Sequence, residues 1–294
     1  MIFDTDVLIW CLRGNPRAAK AIAVVHCVEG GFALGDTPDH VRENVRAMAE
    51  DGIAYVTVAH LLYRQVAANV PPIPSFGILG DGAKADQWCH KHLPVPSNVG
   101  LTPLGKVLIE ELVRNGIFVD LTHLNTRAMT EALDLMDQLD PGMQIPVLAS
   151  HGAYRFRSRE YNLSAEQVVR VVKRQGTVGV LLCRDFLDDD RGRSPDLGLF
   201  CEHLRALAQA ISKELPHVDP YAHLGIGTDL DGFIQPLDGV ETAGRLQNLA
   251  RRLKEELPQS AASVCSGSAY SLLSSGARQG KSVGGRVPWA PVPG

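Results

Sequence analysis

The sequence predicts an α/β protein built on parallel strands, with a (β/α)8 TIM-type barrel as the first choice of architecture and an open sheet as the second. Apolar runs with strand composition alternate with stretches whose apolar residues fall at helical spacing. That alternation argues for parallel strands joined by crossover helices. Five of the runs end in a histidine or a carboxylate: 21–29 in Glu29, 54–60 in His60, 118–123 in His123, 146–151 in His151 and 223–229 in Asp229. An apolar strand buried on both faces belongs in a parallel sheet, and the carboxyl ends of such strands are where an α/β barrel carries its active site. One histidine in such a place means little. Three histidines and two carboxylates are hard to explain as packing. The 294 residues, 45% hydrophobic and 21% charged, suit one barrel-sized domain.

Each element follows from its residues. Met1 to Trp10 is an apolar run carrying Asp4 and Asp6, and 11–20 is a short polar connection to the strand 21–29. Asp36 or Thr37 caps a helix, Pro38 suits its first turn, and Gly52 stops it after Asp51. Strand 54–60 leads into 61–100, where Pro71, Pro72, Pro74, Pro94 and Pro96 preclude long regular elements. A loop of that length in a compact domain is usually functional or disordered, and its departure from His60 suits a lid over the site. Thr102 and Pro103 open the next helix, whose Leu104, Val107, Leu108, Leu112 and Val113 share a face, and Gly116 ends it. Strand 118–123, helix 125–139, strand 146–151, helix 164–175, strand 177–183, helix 194–215 and strand 223–229 continue the alternation. Helices 241–257 and 260–275 close it, for seven or eight strands in all. The Gly- and Pro-rich stretch 276–294 reads as a disordered tail. The chain thus divides into an atypical segment 1–20, a barrel 21–275 and the tail 276–294.

Composition narrows the function classes. A net charge of −4 favours no nucleic-acid partner. There is no apolar run of about 18 residues, so no membrane span is expected. Met1 opens directly into Ile2-Phe3-Asp4 without a basic region, so no secretory signal is expected either. Six cysteines, at 11, 27, 89, 183, 201 and 265, show no C-x-x-C spacing, and Cys27 and Cys183 read as buried free thiols inside strands. These features together favour a cytoplasmic protein.

A carboxylate and two histidines at neighbouring strand ends can bind one or two divalent metals, and imidazole with carboxylate suits zinc. A bound metal lowers the pKa of its water to about 7. A nearby aspartate can take and return the proton. Such parts serve the hydrolysis of a polarised carbonyl.

Five motifs carry a resemblance. Val25-His-Cys-Val-Glu-Gly-Gly31, Gly100-Leu-Thr-Pro-Leu-Gly105, Val119-Asp-Leu-Thr-His123, Pro146-Val-Leu-Ala-Ser-His151 and Gly227-Thr-Asp-Leu-Asp-Gly232 together resemble the membrane (renal) dipeptidase family, more closely its bacterial branch. The likeness covers residues 21–275 in the family's order and spacing. It implies a barrel of the amidohydrolase kind, a two-zinc site and a dipeptide substrate. By that resemblance Glu29 is similar to the carboxylate that bridges the metals, and His123 and His151 to the histidine ligands of the second metal. His60 matches the histidine that contacts the substrate and stabilises the tetrahedral intermediate, and Asp229 the acid/base aspartate. The expected partner is a small dipeptide, with no nucleic acid and no membrane, and the chain is compatible with a homodimer.

Two features depart from the family pattern. The family's His-x-Asp pair on its first strand, which holds the other metal, has no counterpart before Glu29. Instead Met1 to Asn15 looks like the opening of a PIN-domain toxin nuclease, though the other acidic residues of such a site have no matching context. The ten residues between Trp10 and Ala21 are also fewer than a parallel crossover usually needs. One zinc or two, with hydrolysis well below the family's norm, is therefore expected, and a catalytically weakened or inactive homologue is the alternative. In addition, many family members have an arginine just before the asparagine that corresponds to Asn162, and here that neighbour is Tyr161. Arg155, Arg157 and Arg159 lie close by, and Arg155 and Arg159 are candidates for binding the substrate carboxylate. Asp231 reads as a turn former before Gly232, and His26 as a core histidine or one that supports the ligands from behind.

Overall fold

A computed structural model describes residues 10–11, 22–23, 25–60, 65–70, 99–157, 159–189, 191–230, 232 and 234–278. Strands β1 (Trp10–Cys11) and β2 (Ile22–Ala23) pair antiparallel as a small sheet of their own. Six further strands pair parallel and in chain order: β3 (Cys27–Glu29), β4 (Tyr55–Thr57), β5 (Phe118–Asp120), β6 (Val147–Gly152), β7 (Thr177–Leu181) and β8 (Leu224–Gly227). Helices α1 (Pro38–Glu50), α2 (Pro103–Arg114), α3 (Thr126–Leu139) and α4 (Ala165–Lys173) each connect one strand to the next. Helices α5 (Arg184–Asp188) and α6 (Leu197–Glu214) connect β7 to β8, and α7 (Leu246–Glu256) and α8 (Ser268–Arg278) follow. The helices begin where their caps predict, with Thr37, Thr102, Asn125 and Ser164 each accepting a backbone N–H.

Alternation along the strands separates two environments. Val28, Val56, Val119 and Val178 face outward into a buried core shared with Leu108, Leu133 and Leu204 of the helices. The alternate residues Cys27, Tyr55, Phe118 and Leu148 form a second apolar cluster that Leu272 of α8 joins. Two residues further on, the register sets Glu29 beside Thr57 and Thr57 beside Asp120. The inner face is thus apolar at one level and polar at the carboxyl ends. Strand β6 carries a register shift between Ala149 and Gly152. Gly179 and Gly227 stand against that irregularity, since a Cβ at either would collide with the Ser150 carbonyl. These glycines give the bulged Ser150–His151 backbone its room.

The N-terminal part differs from expectation. Residues 21–29 are not one strand: Ile22–Ala23 pairs backward with Trp10–Cys11, and only Cys27–Glu29 enters the parallel sheet. An antiparallel pair closes over a short connection, whereas a parallel crossover needs a dozen residues or more. The parallel sheet therefore has six strands among the described residues rather than seven or eight, and β3 is its first. Within 61–100, residues 65–70 form a buried strap. Val66, Ala67, Ala68 and Val70 are buried, and bridges pair Ala67 with Leu101 and Asn69 with Leu124. Residues 61–64 and 71–98, with His90 and His92, lie outside the described residues, as do Asp4, Asp6, Asp231 and 279–294. Helix α8 runs to Arg278, three residues past the expected boundary. Cys27 and Cys183 are buried and form no disulfide, Cys27 inside β3 and Cys183 just beyond β7 at the start of α5. No helix among the described residues is long and apolar enough to cross a membrane.

One buried histidine away from the strand ends makes stability depend on pH. His203 of α6 is 0% exposed. Its Nδ1 accepts the Tyr154 N–H at 3.1 Å, and its Nε2 donates to Leu187 O at 2.7 Å, so the ring is held neutral. Burial, and then the neighbouring Arg191, keep its pKa at about 4 instead of 6.5. The unfolded chain takes up this proton first as pH falls. The contribution is therefore complete above pH 6.5 and is lost as pH drops through 4, about 3 kcal/mol in all. Urea midpoints should fall across that window, and His203→Gln should flatten the slope. A slope that the substitution leaves unchanged would assign the effect to other groups.

Candidate metal centre

Parallel pairing brings the carboxyl ends of β3, β5 and β6 together, and with them Glu29, His123 and His151. One ligand atom from each lies within 4.8 Å of the others, and this is the one such group of three or more among the described residues. Glu29 Oε1 is 2.6 Å from His123 Nε2 and 3.3 Å from His151 Nε2, and the two Nε2 atoms are 3.1 Å apart. His60, just beyond β4, brings its Nε2 to 3.7 Å from the same carboxylate oxygen and sets its ring edge-on to His123 at 4.7 Å. His60 is the accessible member, with its side chain 33% exposed against 3% for His123 and His151.

Two of the five strand-end residues have left-handed backbones, His123 at φ 67° and Asp229 at φ 48°. Histidine and aspartate are among the side chains enriched there, and such positions persist where the surroundings over-determine them. The strap does this for His123: the Val70 N–H donates to the His123 carbonyl at 2.8 Å.

The charges interlock. Burial by itself would raise Glu29, but hydrogen bonds from His123 and His151 hold it well below the usual carboxylate range. Burial lowers His123, despite Glu29. Burial would lower His151 as well, yet Asp229 and then Glu29 push it up to about 10. At neutral pH His151 thus keeps its proton among the two Nε2 atoms and the Glu29 carboxylate oxygen. Those three donor atoms converge on one point instead of each finding its own partner, which is the arrangement a divalent cation fills.

Around this point lie residues of mixed legibility. Tyr161 is buried, its ring edge-on to His123 at 5.3 Å and stacked on Phe186 at 3.8 Å. Burial, then Asp229 and Glu29, push its hydroxyl well above the usual value, so it stays a donor. Arg155, a candidate for the substrate carboxylate, braces its own loop instead. It donates to Asn162 O at 2.6 Å, Glu160 O at 2.9 Å and Thr126 Oγ1 at 3.2 Å. Arg159 lies 5.7 Å from the centre of the Phe186 ring and 3.9 Å from Asp189, two rings removed from His123. Arg157 donates its backbone N–H to Asp189 at 2.7 Å. His26 is exposed, not a core residue. Sequence reasoning passed over Asp120 and Ser150, which lie directly beneath the histidines. The available signal was a carboxylate inside an otherwise apolar strand.

The family model for membrane dipeptidase, peptidase family M19, matches residues 14–264. An uncharacterized dipeptidase of Schizosaccharomyces pombe is 27% identical over 253 residues, covering 85% of this chain and 50% of that protein. Dipeptidase tcpJ of Claviceps purpurea is 25% identical over 237 residues, covering 79% and 45%. The chain thus spans about half the length of these curated relatives. Among solved structures, a metallopeptidase from Rhodobacter sphaeroides, liganded with a phosphinate mimic of the dipeptide L-Ala-D-Ala, superposes with a TM-score of 0.64. It shares 21% identity, with 85% of this chain and 62% of that one covered. The probable dipeptidase PvdM of Pseudomonas aeruginosa gives 0.61 at 19% identity, covering 88% and 70%. These structures share the fold, and with the family match across most of its length, the chain belongs to the membrane dipeptidase family.

Proposed function

We propose that the chain is a metal-dependent hydrolase of dipeptides, with zinc held by Glu29, His123 and His151. The convergence of their three donor atoms within 4.8 Å carries this reading. A divalent ion bound there supplies a Lewis acid and lowers the pKa of a coordinated water. Asp229, close enough to His151 to raise its pKa, takes the proton of the attacking water and returns it to the leaving amine. His60, at the accessible rim, donates to the carbonyl oxygen as negative charge develops on it. Tyr161, edge-on to His123, and Phe186, stacked on Tyr161, exclude water from that part of the site. Arg159 is the remaining candidate for the substrate carboxylate, since the Arg155 guanidinium is taken up by its loop. The dipeptide mimic held by the Rhodobacter sphaeroides protein supports the substrate class.

Hydrolysis well below that of a two-metal site is part of the proposal, because one group of three ligands stands among the described residues. The test is release of amino acids from a panel of dipeptides by the full chain, with zinc and after chelation. Slow, zinc-dependent release is expected. A folded, zinc-loaded protein with no hydrolysis above the chelated control would overturn the reading.

A further inference from the structure

The layer beneath the ligands carries a hydrogen-bond chain that decides how one of them presents itself. Asp120 is 0% exposed, and five donors meet it. Its Oδ1 accepts from Thr122 N at 3.1 Å, Thr122 Oγ1 at 2.9 Å and Ser150 N at 2.9 Å. Its Oδ2 accepts from Thr57 Oγ1 at 2.7 Å and Ser150 Oγ at 2.6 Å. Both oxygens act only as acceptors, so the single hydroxyl hydrogen of Ser150 is committed to Asp120. Toward His151 Nδ1, 2.9 Å away, Ser150 Oγ can then only accept. That requires a proton on Nδ1. In the neutral ring the lone pair is then left on Nε2, the atom that faces Glu29 and His123.

We propose that Asp120 and Ser150 are positioning residues that fix His151 as the Nδ1–H tautomer and aim its Nε2 lone pair at the metal centre. The inference rests on the metal-centre reading for its consequence, but the relay itself is a property of this chain. His123 has no such relay, because its Nδ1 lacks a hydrogen-bond partner. Its orientation comes from the left-handed backbone and the strap. The relay also explains why the bulge in β6 falls where it does. One carboxylate on β5 binds both the backbone N–H and the hydroxyl of Ser150, and the next residue is the ligand.

Ser150→Ala removes the link to the imidazole, and Thr57→Val is the matched control. Thr57 also donates to Asp120, but it makes no hydrogen bond to an imidazole. Outer hydrogen-bond partners of ligating histidines typically contribute about 10–100-fold to metal affinity. Zinc affinity, measured by chelator competition on the full chain, should fall by about that factor in Ser150→Ala and by less than about threefold in Thr57→Val. Thermal midpoints of the metal-free forms should shift alike in the two variants. In the metal-free protein, the His151 Nδ1–H should exchange slowly with water in the wild type and in Thr57→Val, and measurably faster in Ser150→Ala, where its acceptor is gone. Equal affinity losses in the two variants, or an Nδ1–H still protected in Ser150→Ala, would overturn the proposal. If the wild type binds no zinc, the metal reading fails, and the relay stands or falls on the Nδ1–H exchange alone.

Discussion

Replacing Asp229 with asparagine is expected to lower dipeptide turnover by about 10²–10⁴-fold, the usual contribution of a general acid–base group, while zinc content stays the same. The substitution isolates the charge. Asparagine tolerates the left-handed backbone as aspartate does, so φ 48° brings no new strain. The side chain keeps its size, which matters because it packs against Gly232, where a Cβ would collide with the carboxylate. Asp229 is not among the three converging ligands, so the ion should remain. What is lost is the capacity to accept a proton from water and deliver it to the amine. A neutral amide can orient water but cannot take its proton. The measurement is kcat at matched zinc occupancy. Turnover equal to the wild type at that occupancy would remove Asp229 from the reaction.

The strand ends were legible because two simple rules met there. Apolar strands buried on both faces suit a parallel sheet, and parallel strands put their carboxyl ends on one side. Glu29, His123 and His151 therefore had to meet, although 94 residues separate Glu29 from His123. What was not legible depends on pairing partners. Ile22 and Val28 look alike in sequence, yet one pairs backward with Cys11 and the other forward with Val56. No periodicity distinguishes two-residue strands. Asp120 was visible inside its run, but its meaning required the register that sets Thr57 beside it across 63 residues and the bulge that turns Ser150 toward it. Arg155 read as a carboxylate clamp because charge and proximity in sequence both suited it. Its loop closes back on it, and the carbonyls of Glu160 and Asn162 take up the guanidinium. Side chains that serve their own loop cannot be told from those that serve a ligand until the loop's path is known.

Zinc titration of the metal-free chain should saturate at about one equivalent and release about one proton per ion at pH 7. The stoichiometry follows from the ligands: among the described residues one group of three converges, and β3 is the first strand of the parallel sheet. The proton follows from the charges. His151, pushed up to about 10 by Asp229 and Glu29, carries a proton at pH 7, and an ion bound through its Nε2 must displace it. Calorimetric titrations in two buffers of different ionisation enthalpy measure that release directly. Glu29→Gln should weaken both effects. The neutral amide removes a ligand, so affinity should fall by more than the roughly 10–100-fold that outer hydrogen-bond partners contribute. It also removes a charge that holds the proton on His151, so the binding that remains should release less. Two tightly bound zinc ions per chain would show that ligands outside the described residues complete a second site. One zinc bound without proton release would show that His151 carries no displaceable proton at pH 7.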